Sequence, residues 1–411
     1  VVDEMFLRTH HGFGTPVVMQ GLWRSEGEVD PAALAGVHHL LSLGPLSRTV
    51  IRPRIPGARL RWRSGATPWP LDYPTAPIAA GAVVDWADRV AGEPVDPEAG
   101  AGWRLAAARI DGGGTVVSLL CSHVLADARG LAGVLAEAMS GSAAAVAPGP
   151  THPRRADLAD AIAMYASVGA RTLRAVAGLA LHPSRKAALL PVRAVHPHRG
   201  AQRAQLPEAL VVEVDAAHWD AAAGRDGGTP NSLLVALAGA IAGSGVPLQV
   251  SVPVDRRTDP GSASNAVDMA EVTVAPGDSP ATVRTALRQA YARPPMSSPA
   301  GFPPELLQLL PDATAYRLAP NPGERDVLCS NVGTVPDTLG MLGACRASGI
   351  ATRAVHPGVT PARAAEIRNR LSAYLCRFGD RYTLALVSMD GELRERAEMA
   401  LTAFGLTARY W

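Results

Sequence analysis

Lysine is nearly absent from this chain. Lys186 is the only one, so the 39 basic residues are almost all arginine. With 40 glycines and 35 prolines beside it, this reads as the codon bias of a GC-rich genome and not as a mark of function. Acidic residues number 37, the net charge is only +2, and nothing in the overall balance points to nucleic acid. Cysteine is scarce as well. Cys121, Cys329, Cys345 and Cys376 show no CxxC or Cys/His spacing, so no metal site is expected and free thiols are the simplest reading. No run of 18 apolar residues is free of charge. The closest, 161–181, is interrupted by Arg171 and Arg174, so a spanning helix is not expected. Val1-Val2-Asp3-Glu4-Met5 has neither a basic n-region nor an apolar h-region, which makes the cytoplasm the expected location.

Several catalytic signatures are missing too. There is no GxSxG elbow, no GxGxxG, no P-loop and no HExxH. His10-His11 could suggest a ligand pair, but adjacent side chains on a strand point apart, and a surface pair is the ordinary reading.

What is present suits a well-buried globular protein: 47% hydrophobic residues against 18% charged ones. A length of 411 residues exceeds what one core usually fills, so two lobes are expected. In the first, 15–23 reads as a strand and 31–42 as a helix, capped by Asp30 with proline at the first helical position. Residues 103–110 and 115–123 flank Asp111-Gly112-Gly113-Gly114, a hairpin signal. Helices follow at 128–139 and 157–181, separated by a small-residue linker at 141–156. Residues 182–207 hold five basic residues and no acid, and form a second, basic linker. Such a linker could touch a phosphorylated ligand or an acidic partner; a solvated connection is the ordinary reading.

The pattern then restarts. Strands are expected at 209–214, 248–254, 267–274, 326–332, 371–378 and 382–388, and helices at 231–242, 280–292 and 392–404. The division is therefore an N-terminal lobe at 1–181, the linker at 182–207 and a C-terminal lobe at 208–411. Both lobes mix strands and helices, an α/β chain of the α+β type with mixed sheets.

One segment reads as chemistry: Ser122-His123-Val124-Leu125-Ala126-Asp127-Ala128, between a buried-looking strand and a helix. A neutral imidazole there could take a proton from an alcohol or amine as it attacks a carbonyl, with the carboxylate four residues on as its orienting group. Asp127 could instead hold the loop by pairing with an arginine, and Arg256 and Arg257 stand at the end of a strand. The same two residues also suit a buried histidine satisfied by a carboxylate. Ser330-Asn331-Val332-Gly333 follows another strand. Ser330 or Asn331 could donate to a developing oxyanion there, or the segment could be an ordinary strand-end turn.

Taken together, these segments resemble the superfamily that includes condensation domains of peptide synthetases, polyketide-associated acyltransferases and wax ester/diacylglycerol acyltransferases. Its hallmark HHxxxDG matches residues 122–128, with the catalytic histidine at His123 and the structural aspartate at Asp127. Ser122 stands in place of the first histidine and Ala128 in place of the glycine. Val252-Pro253-Val254-Asp255-Arg256-Arg257 is similar to the strand whose final arginine pairs with the motif aspartate, which nominates Arg257; Asn265 resembles the asparagine that follows. Thr229-Pro230-Asn231-Ser232 resembles a helix start in the second lobe. Ser330, Asn331 and Gly333 resemble the strand end that lines the site with Ser122. Asp3-Glu4-Met5-Phe6-Leu7 and Gly44-Pro45-Leu46-Ser47-Arg48 are also similar to family segments.

The resemblance implies two chloramphenicol-acetyltransferase-like lobes in a V, with a tunnel between them that meets at His123. It implies an acyltransferase that moves an acyl group from a thioester to a hydroxyl or amine. No bound cofactor is implied. The co-substrate is an acyl-CoA or the phosphopantetheine arm of an acyl or peptidyl carrier protein, and His123 is the general base. Two other classes fit the same segments: a stand-alone, carrier-protein-dependent condensation enzyme forming an amide, and a non-catalytic binding or scaffold module. A lipid substrate would add contact with a membrane surface. Residues 161–181 are the only hint of it, and a packed helix is their ordinary reading.

Overall fold

The computed structural model describes residues 6–7, 16–142, 146, 154–181, 207–243, 245–257, 265–293, 302–310 and 325–411. The basic linker at 182–206, most of the 141–156 linker and the His10-His11 pair lie outside the described residues. The first half contains β1 (Val18–Ser25), α1 (Pro31–Leu43), a hairpin of β2 (Arg48–Ile51) and β3 (Arg61–Ser64), and α2 (Val83–Ala91). It continues with β4 (Trp103–Arg109), β5 (Thr115–Ser122), α3 (Ala128–Met139) and α4 (Arg154–Leu181). The second half runs β6 (Glu208–Asp215), α5 (Ala216–Gly224), α6 (Pro230–Ala242), β7 (Leu248–Asp255), β8 (Val267–Val274), α7 (Pro280–Tyr291) and β9 (Val327–Thr334). Then come β10 (Met341–Leu342), β11 (Cys345–Val355), α8 (Pro361–Glu366), β12 (Leu371–Phe378), β13 (Arg381–Ser388), α9 (Leu393–Ala403) and β14 (Arg409–Tyr410).

The first sheet has the order β10-β11-β1-β5-β4, with every neighbour antiparallel. All eight residues of β5 are buried, and alternation explains why. Val117, Leu119 and Cys121 point into a core built with α1 and α3, through Leu34, Leu41, Leu131 and Val134. Val116 and Leu120 point the other way, toward Trp86 of α2 and toward the second sheet. The β4–β5 turn is three glycines long for a steric reason. Gly114 has φ +94°, and a Cβ there would lie 2.3 Å from the Ser25 carbonyl oxygen.

The second sheet has the order β14-β6-β13-β12-β9-β7-β8, parallel only where β9 meets β12 and β7. Helix α6 is apolar on all sides and is the central helix of this lobe's core. Its start is fixed by a capping box, with Thr229 and Ser232 each accepting from the other's backbone N–H and Pro230 in the first turn. The two sheets face each other across a shared apolar layer. Val18, Leu22 and Leu120 from one meet Val211, Tyr374 and Ala385 from the other.

One strand of the first sheet comes from the far end of the sequence. β11 pairs with β1 from Val18↔Val355 to Ser25↔Ala347, so the chain crosses from the second lobe into the first and returns. The sequence pattern contains no strand there, because small residues and two arginines break the apolar alternation. Arg353 is nevertheless buried. Its Nε donates to Gln20 Oε1 at 2.7 Å, and its guanidinium lies 2.5 Å from the Asp88 carboxylate. The β2–β3 hairpin, α2 and α5 are further elements that the pattern does not give.

Candidate active site

The segment that follows β5 is held from both sides. Ser122 N donates to Gly102 O at 2.8 Å and His123 N to Val17 O at 3.0 Å, so both neighbouring strands grip the turn. Leu125 N closes it onto Ser122 O at 2.9 Å. Val124, Leu125 and Ala126 are all buried, which ties the loop to the core. Gly102 makes room for it: a Cβ there would meet Leu125 Cδ1 at 2.9 Å. Arg48 adds a clamp. Its Nη2 donates to Leu125 O at 2.6 Å while its guanidinium lies 4.1 Å from the centre of the Trp62 ring.

Asp127 ends the loop and starts α3. Its Oδ1 accepts from Gly130 N at 2.8 Å, the N-cap bond of the helix. Its Oδ2 accepts from Ala266 N at 2.9 Å. Arg257 Nη2 reaches both oxygens, at 2.7 and 2.8 Å. Burial alone would raise this carboxyl. The Ala266 and Gly130 N–H groups and the Arg257 guanidinium outweigh it and hold the group below the ordinary carboxylate range. Both side chains are buried, so the pair joins the first-lobe loop to the end of β7 in the second lobe. Arg256 is the arginine that turns away, to Asp268. Ala128 causes no strain: Glu392 is the only described non-glycine residue with positive φ.

The imidazole of His123 is met by a residue from the second lobe. Asn265 Nδ2 donates to His123 O at 2.9 Å, which orients the amide. Its Oδ1 then faces His123 Nδ1 at 3.1 Å. A carbonyl oxygen accepts only, so in the neutral ring this contact favours the proton on Nδ1 and the lone pair on Nε2. Phe6 lies flat on the ring, with centroids 3.8 Å apart and planes 18° from parallel. Asp127 is thus occupied by Arg257 and two backbone N–H groups, and Asn265 is the group that meets Nδ1. Sequence spacing offers Asp127 for that contact because four residues look close; the loop turns its carboxylate toward β7 instead. Neither the asparagine's orienting contact nor the Phe6 stack is readable from spacing, since they join positions 142 and 117 residues from His123 in sequence.

Ser122 is buried, and its Oγ accepts from Val124 N at 3.4 Å. Asn331 and Gly333 form a tight strand end on β9: Gly333 N donates to Asn331 Oδ1 at 2.9 Å, and Gly333 has φ +87°. A Cβ at Gly333 would lie 3.6 Å from Arg129 Nη2, which places this strand end beside the first turn of α3. Ser330 lies on the same strand, paired with Tyr374 of β12. Cys121 precedes the motif, and burial, partly opposed by Arg48, pushes its thiol up to about 12. It is therefore no thiolate nucleophile at neutral pH.

A cavity of about 400 Å³ opens next to the motif. Val50, Leu60, Trp62, Val124, Ala163 and Met164 give it apolar walls between the β2–β3 hairpin and α4. Ion pairs tie its edges: Arg59 to Asp160 at 2.6 Å, Arg61 to Asp157, and Arg171 to Glu305 at 3.1 Å. Val124 places this space, part apolar and part charged, one residue from His123, and its size is that of a small-molecule site.

No family model and no curated protein matches the sequence. Solved structures match over almost the whole chain. The first condensation domain of the CDA synthetase superposes with a TM-score of 0.57 at 16% identity, covering 99% of this chain and 97% of that one. Polyketide synthase associated protein 5 from Mycobacterium tuberculosis gives 0.55 at 15% identity, covering 97% and 96%. The wax ester synthase/diacylglycerol acyltransferase from Marinobacter aquaeolei VT8 gives 0.55 at 13% identity, covering 98% and 97%. With its two mixed α/β lobes and near full-length superposition on all three, the chain shares the fold of these condensation and acyltransferase structures.

Proposed function

We propose that this protein transfers an acyl group from a thioester to a hydroxyl or amine, with His123 as general base. The observation that carries the reading is the Asn265 bridge. In the neutral ring it favours the Nδ1–H tautomer, which supports Nε2 as the basic nitrogen. An acceptor O–H or N–H gives its proton to Nε2 while its oxygen or nitrogen attacks the thioester carbonyl. The C–S bond then breaks, and the proton passes from the imidazolium to the departing thiolate. The enzyme is regenerated with no covalent intermediate. Proton transfer of this kind contributes about 10²–10⁴-fold, and alignment of the two substrates supplies much of the rest. The apolar wall of the cavity beside Val124, formed by Val50, Leu60, Trp62 and Met164, suits the hydrocarbon part of a substrate.

The donor is an acyl-CoA or a carrier protein's phosphopantetheine arm. A panel of acyl-CoAs of increasing chain length, with alcohol and amine acceptors, tests the reading through free-thiol release. Acceptor-dependent release, with ester or amide product found by mass spectrometry, is the expected result. Release seen only with acyl carrier protein would assign the donor to that arm. No transfer from either donor would overturn the reading and leave a binding module.

A further inference from the structure

Helix α4 is 28 residues long, about 42 Å at 1.5 Å per residue. Only one side of it packs, through Ala161, Val168 and Leu179. The other side is apolar as well, but exposed. Leu158, Ile162, Tyr165, Leu173, Val176 and Leu181 account for half of the twelve large apolar side chains exposed among the described residues. Leu158 and Ile162, then Leu173 and Val176, recur at three- and four-residue steps and so lie along one stripe, while the ring of half-exposed Tyr165 rests against Gly57 of the adjacent hairpin. Ile162 and Leu173 are 62% and 71% exposed, far beyond what a packed helix face shows.

The charges around this stripe are of one sign. Arg154, Arg155 and Arg174 are exposed on α4. Its two acids, Asp157 and Asp160, turn inward to Arg61 and Arg59 of the adjacent hairpin. That hairpin adds exposed Arg54 and Arg63 and has no acid between residues 48 and 68. Arg63 shares the strand face of Arg61, and so the side of α4.

We propose that this face docks on an anionic lipid surface, with α4 lying in the plane of the headgroups. Aliphatic side chains would enter the acyl boundary, and the arginines would meet lipid phosphates. Charge complementarity favours this over a second copy of the chain: α4 against α4 would set an all-cationic rim against itself. No described helix is long and apolar enough to cross a membrane, so the contact lies on the surface. Docking would bring the cavity on the inner side of α4 next to the lipid.

Vesicle sedimentation of the full chain tests this and needs no turnover. Phosphatidylcholine vesicles with and without a third of phosphatidylglycerol are the probes. The chain is expected to sediment with the anionic vesicles and much less with the neutral ones. Ile162→Glu combined with Leu173→Glu, and separately Arg154→Glu combined with Arg155→Glu, should each weaken binding about tenfold or more. Met399→Glu, an exposed apolar position on α9, should leave it unchanged. Thermal melts of the variants should match wild type, since all these side chains are exposed. Failure to bind anionic vesicles, or equal binding by the Ile162/Leu173 variant, would overturn the proposal. So would a dimer in light scattering that this variant dissolves in the absence of vesicle binding.

Discussion

Two buried arginines join the halves of this molecule, and they do so differently. Arg257 leaves the end of β7 to hold Asp127, in the loop that carries His123. Arg353 sits near the end of β11 and meets Gln20 and Asp88 in the layer between the sheets. Each is a cation from the second half of the sequence that reaches groups of the first. At Arg257 the acceptor is a buried carboxylate that also caps α3 and receives Ala266 N–H, next to the residue that contacts the imidazole. At Arg353 the carboxylate, Asp88, is 43% exposed and no part of the candidate site is in contact. The comparison separates assembly from chemistry. One arginine holds a strand in a sheet, while the other anchors the loop that carries His123.

Breaking each link should show that separation. The largest stability loss is expected from Asp127→Ala, which strips a helix cap and takes from buried Arg257 the carboxylate it grips with both oxygens, while its contact with Asp255 remains. Loss of one partner of a buried pair costs about 3–5 kcal/mol, and the remaining Asp255 contact puts this case near the lower end. Urea unfolding should show it, and acyl transfer should fall as well because the loop loses its anchor. A wild-type melting curve for this variant would contradict the pairing. Next is Arg353→Met, which leaves the Gln20 oxygen without its donor at a cost of about 1–3 kcal/mol. Turnover per folded molecule should stay at the wild-type level. A change in kcat without a change in stability would show that β11 reports on the site after all.

Asn265→Ala sharpens the comparison from the site side. It removes a bond worth about 0.5–1.5 kcal/mol, so kcat should drop by up to about tenfold with little change in KM. The pH profile should shift as well, because the imidazole loses the contact that favours one tautomer. The smallest effect concerns acid. Asp127 sits below its ordinary value in the folded state, so its contribution is full above about pH 4 and fades as pH falls through the folded value. The stability gap between wild type and Asp127→Asn should therefore shrink on acidification. A gap that holds constant would mean that the carboxylate is not held low.

Much of this frame was legible in the sequence. β5 and α3 stand out because their apolar residues follow periods of two and of three to four, and Asp127 between them is a cap residue type. β8 and β12 are legible for the same reason. β11 was not, because an arginine within it reads as solvated until Gln20 and Asp88 are brought beside it. In the site, the motif and the resemblance point to His123, Asp127 and Arg257. The orienting contact of Asn265 and the stack of Phe6 come from remote segments and exist only after folding. Helix α4 teaches the converse. Its sequence suggests an ordinary packed helix, yet one apolar face remains uncovered.

The central claim is that His123 is the base of an acyl transfer. The most direct measurement is acceptor-dependent thiol release by wild type and by His123→Ala, with their melting curves recorded together. The account predicts a loss of about 10²–10⁴-fold in turnover with an unchanged melt. Equal turnover by the two proteins would contradict it.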